Sequence, residues 1–210
     1  MKQNLVYLTV LTGLLGFALG CSKQDSGSAA QPAVGHTHSD AYITMGDLKL
    51  FRAYAPKESA VDLREYLPEG ETLDHWNRLA SVRVFKDLKD PKQYLSDLAG
   101  AVKQSNPAAR FQFLQNDETK ELILDFMMFA PSSARERFAE WNLMRAKYVE
   151  GTGLVVYQYA MRVYNPNRSS APIIIAERNK MVDRFGSASF EEQAPSNQPP
   201  QPTRSASGSP

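Results

Sequence analysis

The chain has 210 residues, with 24 Lys and Arg against 23 Asp and Glu, for a formal net charge of +1. That balance leaves no electrostatic footprint for nucleic acid, and no run of Lys or Arg supplies one locally. A single cysteine excludes an internal disulfide framework, and the length, less its low-complexity ends, suits one folded domain.

Lys2 is followed by a mostly apolar, uncharged run from Leu5 to Leu19, the layout of a secretory signal. The run is short for a membrane span, which needs about 20 apolar residues. It ends in Ala18, Leu19, Gly20 and Cys21. These residues resemble the lipobox of bacterial lipoproteins, with Ala18 where that family usually has Leu and Leu19 where it usually has a small residue. The resemblance implies that the Cys21 sulfur receives diacylglycerol, that cleavage falls just before it, and that the new amino group is acylated. Ser22 in place of Asp implies sorting to the outer membrane of a Gram-negative cell, on the periplasmic face. An ordinary cleaved signal, or an uncleaved anchor with Cys21 incidental, is the alternative. Residues 1–20 are thus read as the signal, 21–40 as a tether, 41–191 as the domain and 192–210 as a tail.

Removing residues 1–20 takes away Lys2 and no acid, so the remaining chain is formally neutral. Ser22 to Asp40 has the Ser, Gly, Ala, Gln and Pro content of a linker. Within it, His36, His38 and Asp40 are of the ligand types that suit zinc, copper or nickel. A flexible segment lacks the outer partners that orient metal ligands, so the stretch is read as a solvated tether with no metal.

The domain then opens with a strand around Leu48, Leu50 and Phe51, ending at Pro56, and a second in which Val61, Leu63, Glu65 and Leu67 alternate. Thr72 is placed to cap one helical turn through Trp76. Leu79, Ser81, Arg83 and Phe85 alternate with an apolar set, Ala80, Val82 and Val84, in a clear strand. Asp90, Pro91 and Gln93 form an N-cap, first-turn proline and capping-box signature for a helix burying Tyr94, Leu95, Leu98 and Val102, stopped by Asn106 and Pro107. Arg110–Leu114 and Glu121–Phe129 read as a hairpin, and Glu140–Val149 with Leu154–Tyr164 as a second around Gly151, Thr152 and Gly153. Ile173–Phe185 reads as a closing helix with Gly186 as its stop. Beyond Glu192 the Pro, Gln and Ser content is that of a spacer. The expected fold is α+β, a largely antiparallel sheet of about six or seven strands with two packed helices. This order of elements, from Ala41 to about Phe190, is similar to that of the Mog1/PsbP-like proteins.

No nucleophile elbow, P-loop, dinucleotide fingerprint or paired-cysteine metal motif is present. His75 is the only histidine inside the expected domain, between Asp74 and Trp76, and reads as a turn residue rather than a base. Asp125 is the one charge between Leu122 and Phe129, sharing a strand face with Ile123, Met127 and Phe129. It is either a carboxylate with a raised pKa or one half of a pair with Arg110 or a neighbouring strand, and the pair is favoured. Trp76, Asp125, Trp141, Tyr157 and Tyr159, with Tyr148 and Tyr164, are candidates for a ligand or interaction surface, although aromatics in strands usually pack sheets. The reading is a lipid-anchored envelope protein with no cofactor, no catalytic residues, no nucleic-acid partner and a protein, glycan or small-ligand partner. The rivals are an envelope hydrolase using Asp125 and His75, and an accessory subunit of a secretion or pilus machine.

Overall fold

The structure, a computed structural model, describes residues 40–56, 61–117, 119, 121–131, 133–188 and 190–193. The signal segment, Cys21, His36, His38 and the chain beyond Gln193 lie outside the described residues, while Asp40 is described and exposed. Eight strands run β1 (Tyr42–Met45), β2 (Leu48–Tyr54), β3 (Asp62–Leu67), β4 (Arg78–Phe85), β5 (Arg110–Gln115), β6 (Leu122–Phe129), β7 (Phe138–Val149) and β8 (Gly153–Tyr164). Helix α1 (Pro91–Ser105) lies between β4 and β5 in the chain, and α2 (Ser170–Ser187) follows β8. All neighbouring strands are antiparallel, in one sheet of order β1-β2-β3-β4-β8-β7-β6-β5.

The sheet exceeds the expected six or seven strands by β1. Four residues with only Ile43 and Met45 facing inward give a weak alternation, and what makes them a strand is the turn that follows. Gly46, at φ +65°, and Asp47 join Met45 to its partner Leu48 in a two-residue hairpin. Asp47 then accepts from Arg184 Nη1 at 2.8 Å and pairs with Lys180 at 3.1 Å, fastening the turn to α2. Thr72 caps no helix: it exchanges backbone hydrogen bonds with His75 in a tight turn.

Helix α1 starts as its sequence dictates. Asp90 Oδ1 accepts from the Gln93 backbone N–H at 2.9 Å and Pro91 occupies the first turn, where no donor is needed. The capping box is half made, because the Gln93 side chain donates to Asp97 instead of returning to Asp90. Tyr94, Leu95, Leu98, Ala99 and Val102 cover Leu124, Phe126, Met128, Met144, Ala146, Leu154 and Val156 on one sheet face. Helix α2 begins three residues earlier than the sequence suggests, since Pro172 sits in its first turn and breaks no internal bond. Ile174, Met181 and Phe185 cover Trp141, Leu143, Val155, Tyr159 and Met161 on the opposite face. One helix per face buries both sides of β4, β8 and β7, so those strands carry few outward residues.

After α2 the chain recrosses the sheet as a strap. Arg145 donates to the carbonyls of Gly186 and Ala188, satisfying groups that the helix end leaves open. Phe190 packs against Tyr157 and Phe185, with ring centroids 4.8 and 5.7 Å apart. Glu192 pairs with Arg52 at 2.7 Å, and Gln193 exchanges backbone hydrogen bonds of 3.0 and 2.7 Å with Tyr42. The ordered contacts therefore run two residues beyond the expected domain end at 191.

Candidate functional site

On the α2 face, Asp125 is buried, 4% exposed, at the centre of β6. Its carboxylate accepts from Trp141 Nε1 at 2.7 Å, Gln112 Nε2 at 3.0 Å and Arg178 Nε at 2.7 Å. Asp125 is charge-paired, but not with Arg110 or a neighbouring strand as the sequence suggests: Arg178 comes from α2, while Arg110 donates to the carbonyls of Ala108 and Ala109. One residue earlier on the helix, Glu177 accepts from the buried Tyr159 hydroxyl and from Arg78 Nε at 3.2 Å. Burial pushes the Glu177 carboxyl up, but those two donors outweigh it and hold it below its ordinary value. Burial, then the bond to Glu177, raises the Tyr159 phenol far above its ordinary value, so it stays protonated as a donor. These contacts position α2 on the sheet, with each carboxylate held by structural donors.

The α1 face carries a second polar network, invisible strand by strand. Ser81 Oγ and Arg83 Nη1 both donate to Gln158 Oε1, at 3.2 and 2.7 Å. Gln158 Nε2 donates to Asn142 Oδ1, Asn142 Nδ2 donates to Glu140, and Arg162 holds Glu140 Oε2 with two bonds of 3.0 and 2.7 Å. The row crosses β4, β8 and β7, and Arg162 ends it sandwiched between the Trp76 and Phe138 rings, 4.0 and 4.2 Å from their centroids. Glu65 on β3 lies opposite Ser81 in the register and is 9% exposed. Burial raises its pKa, against a smaller lowering by Arg83.

A raised folded pKa favours the protonated carboxyl, so its contribution is present below the unfolded value and is lost as pH rises through the folded one. Glu65→Gln, neutral at every pH, is therefore expected to raise the melting temperature at pH 7 to 8 and to lose that advantage toward pH 4. Paired thermal melts across that range check it. A variant less stable at every pH would mean that the ionised carboxylate is the form the fold uses.

The sheet has two edges, and they differ. The outer side of β1 is met by Gln193. Among the described residues the outer side of β5 carries no strand, and Phe111 and Phe113 there are 40% and 44% exposed. In register they lie opposite Phe126 and Leu124, both buried under α1, so the apolar face continues past the helix to the edge.

The sequence candidates do not make one surface. Trp76 is buried on the α1 side with Leu67, Leu79 and Ala160, whereas Asp125, Trp141, Tyr157 and Tyr159 are on the α2 side, with Trp141 and Tyr159 fully covered. The aromatics pack the sheet because each strand is buried on the face they occupy. His75 is exposed and stacks on Tyr164 at 4.2 Å, with Nδ1 3.7 Å from Glu136. Tyr164 has the same strand parity as Gln158 and Arg162, so His75 and Asp125 sit on opposite sides of the sheet and cannot share a substrate. Among the described residues, no three His, Cys, Asp or Glu side chains gather as a metal site, and no helix is long and apolar enough to cross a membrane.

A protein-family model whose description carries no activity matches residues 49–190, more than half of the chain. The chain belongs to that family. The matched stretch runs from β2 to Phe190 on the strap, so it takes in both polar networks and the β5 edge. No curated protein and no solved structure matches.

Proposed function

We propose that the chain is a lipid-anchored cell-envelope protein, held through Cys21 in the outer membrane of a Gram-negative cell and facing the periplasm, that works by binding a partner. The observation that carries the binding half is the β5 edge, which carries two exposed phenylalanines and, among the described residues, has no neighbouring strand. The lipobox-like stretch ending at the sole cysteine supports the anchor, and several acyl chains suffice to hold it, at about 0.8 kcal/mol for each buried methylene. The buried carboxylates Asp125 and Glu140 and the half-buried Glu177 are each engaged by structural donors, which suits a scaffold better than a reacting centre.

The intact mass of the membrane-extracted protein tests the anchor. The expected species starts at Cys21 and carries a diacylglyceryl group and one further fatty acyl chain, and Cys21→Ser leaves a protein without that added mass. An unmodified chain with a different start would withdraw the envelope placement and leave a secreted domain.

A further inference from the structure

Proteins protect sheet edges with prolines, lysines, bulges or covering segments, because an open edge recruits another strand. β1 has its cover in Gln193. Among the described residues nothing covers β5: Arg110–Gln115 pairs regularly with Leu122–Met127, contains neither proline nor lysine, and has its one charge, Arg110, at its first position. The flanks of the chain are poor in strand-forming residues. They join the domain at the β1 edge, about 34 Å from β5 across eight strands spaced by about 4.8 Å. Residues 194–210 include five prolines and no aromatic or branched aliphatic side chain, and residues 22–39 include only Val34. With residues 1–20 removed as the signal, this composition favours a strand from another molecule.

The sequence of β5 is complementary to itself. We propose that β5 is the interface of a symmetric homodimer, in which it pairs antiparallel with β5 of a second copy about a two-fold axis at Gln112. This rests on the binding reading above and names its partner. In that register each Phe111 lies opposite the Phe113 of the other copy, and all four rings fall on the α1 face. There they extend the strip of Phe126 and Leu124 into a continuous apolar band between the two α1 helices. Aromatic pairs facing one another across strands are among the stabilising cross-strand combinations. The same register sets each Arg110 opposite a Leu114 and keeps the two guanidinium groups four positions apart, so like charges do not meet. An isologous contact of this kind closes on itself and leaves neither β5 edge open. Tethering both copies to one membrane raises their effective concentration and favours a modest interface.

The test uses the full chain, extracted in detergent for sedimentation and in its unanchored Cys21→Ser form for crosslinking. Because Cys21 is the only cysteine, the variant Cys21→Ser with Gln112→Cys has one thiol, placed on the two-fold axis within disulfide reach of its counterpart. Mild oxidation is expected to yield a covalent dimer from it. Phe111→Cys, and Glu150→Cys at the far hairpin tip, each in the Cys21→Ser background, are expected to yield little. Sedimentation of the unsubstituted chain is expected to give twice the monomer mass, and Phe113→Lys, checked for unchanged far-UV circular dichroism, to halve it. Monomeric sedimentation with no preference for crosslinking at position 112 overturns the homodimer. A photocrosslinker at position 113 in cells then separates the two readings: an adduct with a different protein keeps β5 as a binding edge, and no adduct removes the binding reading as well.

Discussion

Trp141→Ala is expected to lower the unfolding free energy by about 3–5 kcal/mol, the range for deleting a fully buried aromatic side chain. Trp141 is 1% exposed and meets Tyr159 edge-on at 5.9 Å, in the layer between α2 and the sheet. Its indole N–H is also one of three donors that hold the buried Asp125 carboxylate. The substitution therefore opens a cavity and removes a charge-assisted bond at once. Trp141→Phe separates the two effects: most of the volume remains and the donor is lost, for about 1–3 kcal/mol, because Arg178 and Gln112 still hold Asp125. Urea unfolding followed by far-UV circular dichroism measures both. If the alanine variant costs no more than the phenylalanine one, the layer under α2 is not packed around this ring.

The second large effect is expected at Arg162. Its guanidinium is the two-toothed partner of Glu140, with side-chain exposures of 14% and 7%, and it also fills the slot between Trp76 and Phe138. Arg162→Ala leaves a buried carboxylate with Asn142 as its remaining side-chain donor among the described residues, and breaking a buried pair from one side costs about 3–5 kcal/mol. The double variant Arg162→Met with Glu140→Gln removes both charges while keeping volume, and most of the loss is expected to return. Denaturation midpoints of the single and double variants decide it. If the double variant is as unstable as Arg162→Ala, packing around Trp76 matters and the ion pair does not.

Where the pattern is local, the sequence carried the fold well. Asp90 and Pro91 announced α1, the Gly151–Gly153 turn announced the β7–β8 hairpin, and alternation in Ala80, Val82 and Val84 announced β4. Gly153 shows why that turn admits no substitute: at φ +109°, a Cβ there would run into the Phe85 carbonyl. β1 escaped because four residues are too few for periodicity and only the Gly46 turn gives it a partner. The polar row was harder still. Ser81 and Arg83, Glu140 and Asn142, Gln158 and Arg162 each occupy the alternate positions of their own strand, which strand by strand reads as a solvent face. Only the order β4-β8-β7 brings those three sets side by side, and strand order is not encoded in any one strand. The shared parity was the available signal. The partner of Asp125 was hidden for the same reason, since Arg178 lies 53 residues away and arrives by the packing of a helix.

The bond between Tyr42 and Gln193 has a mechanical meaning. Entry and exit of the domain meet at one point, so a pull between the tether and the tail is carried by two backbone hydrogen bonds and the Arg52–Glu192 pair behind them. Those bonds separate in sequence, like a seam opened from its end, and the load never travels through β4, β8 and β7. The central strands are thus shielded from tension applied at the ends, and the strap is the part that gives first.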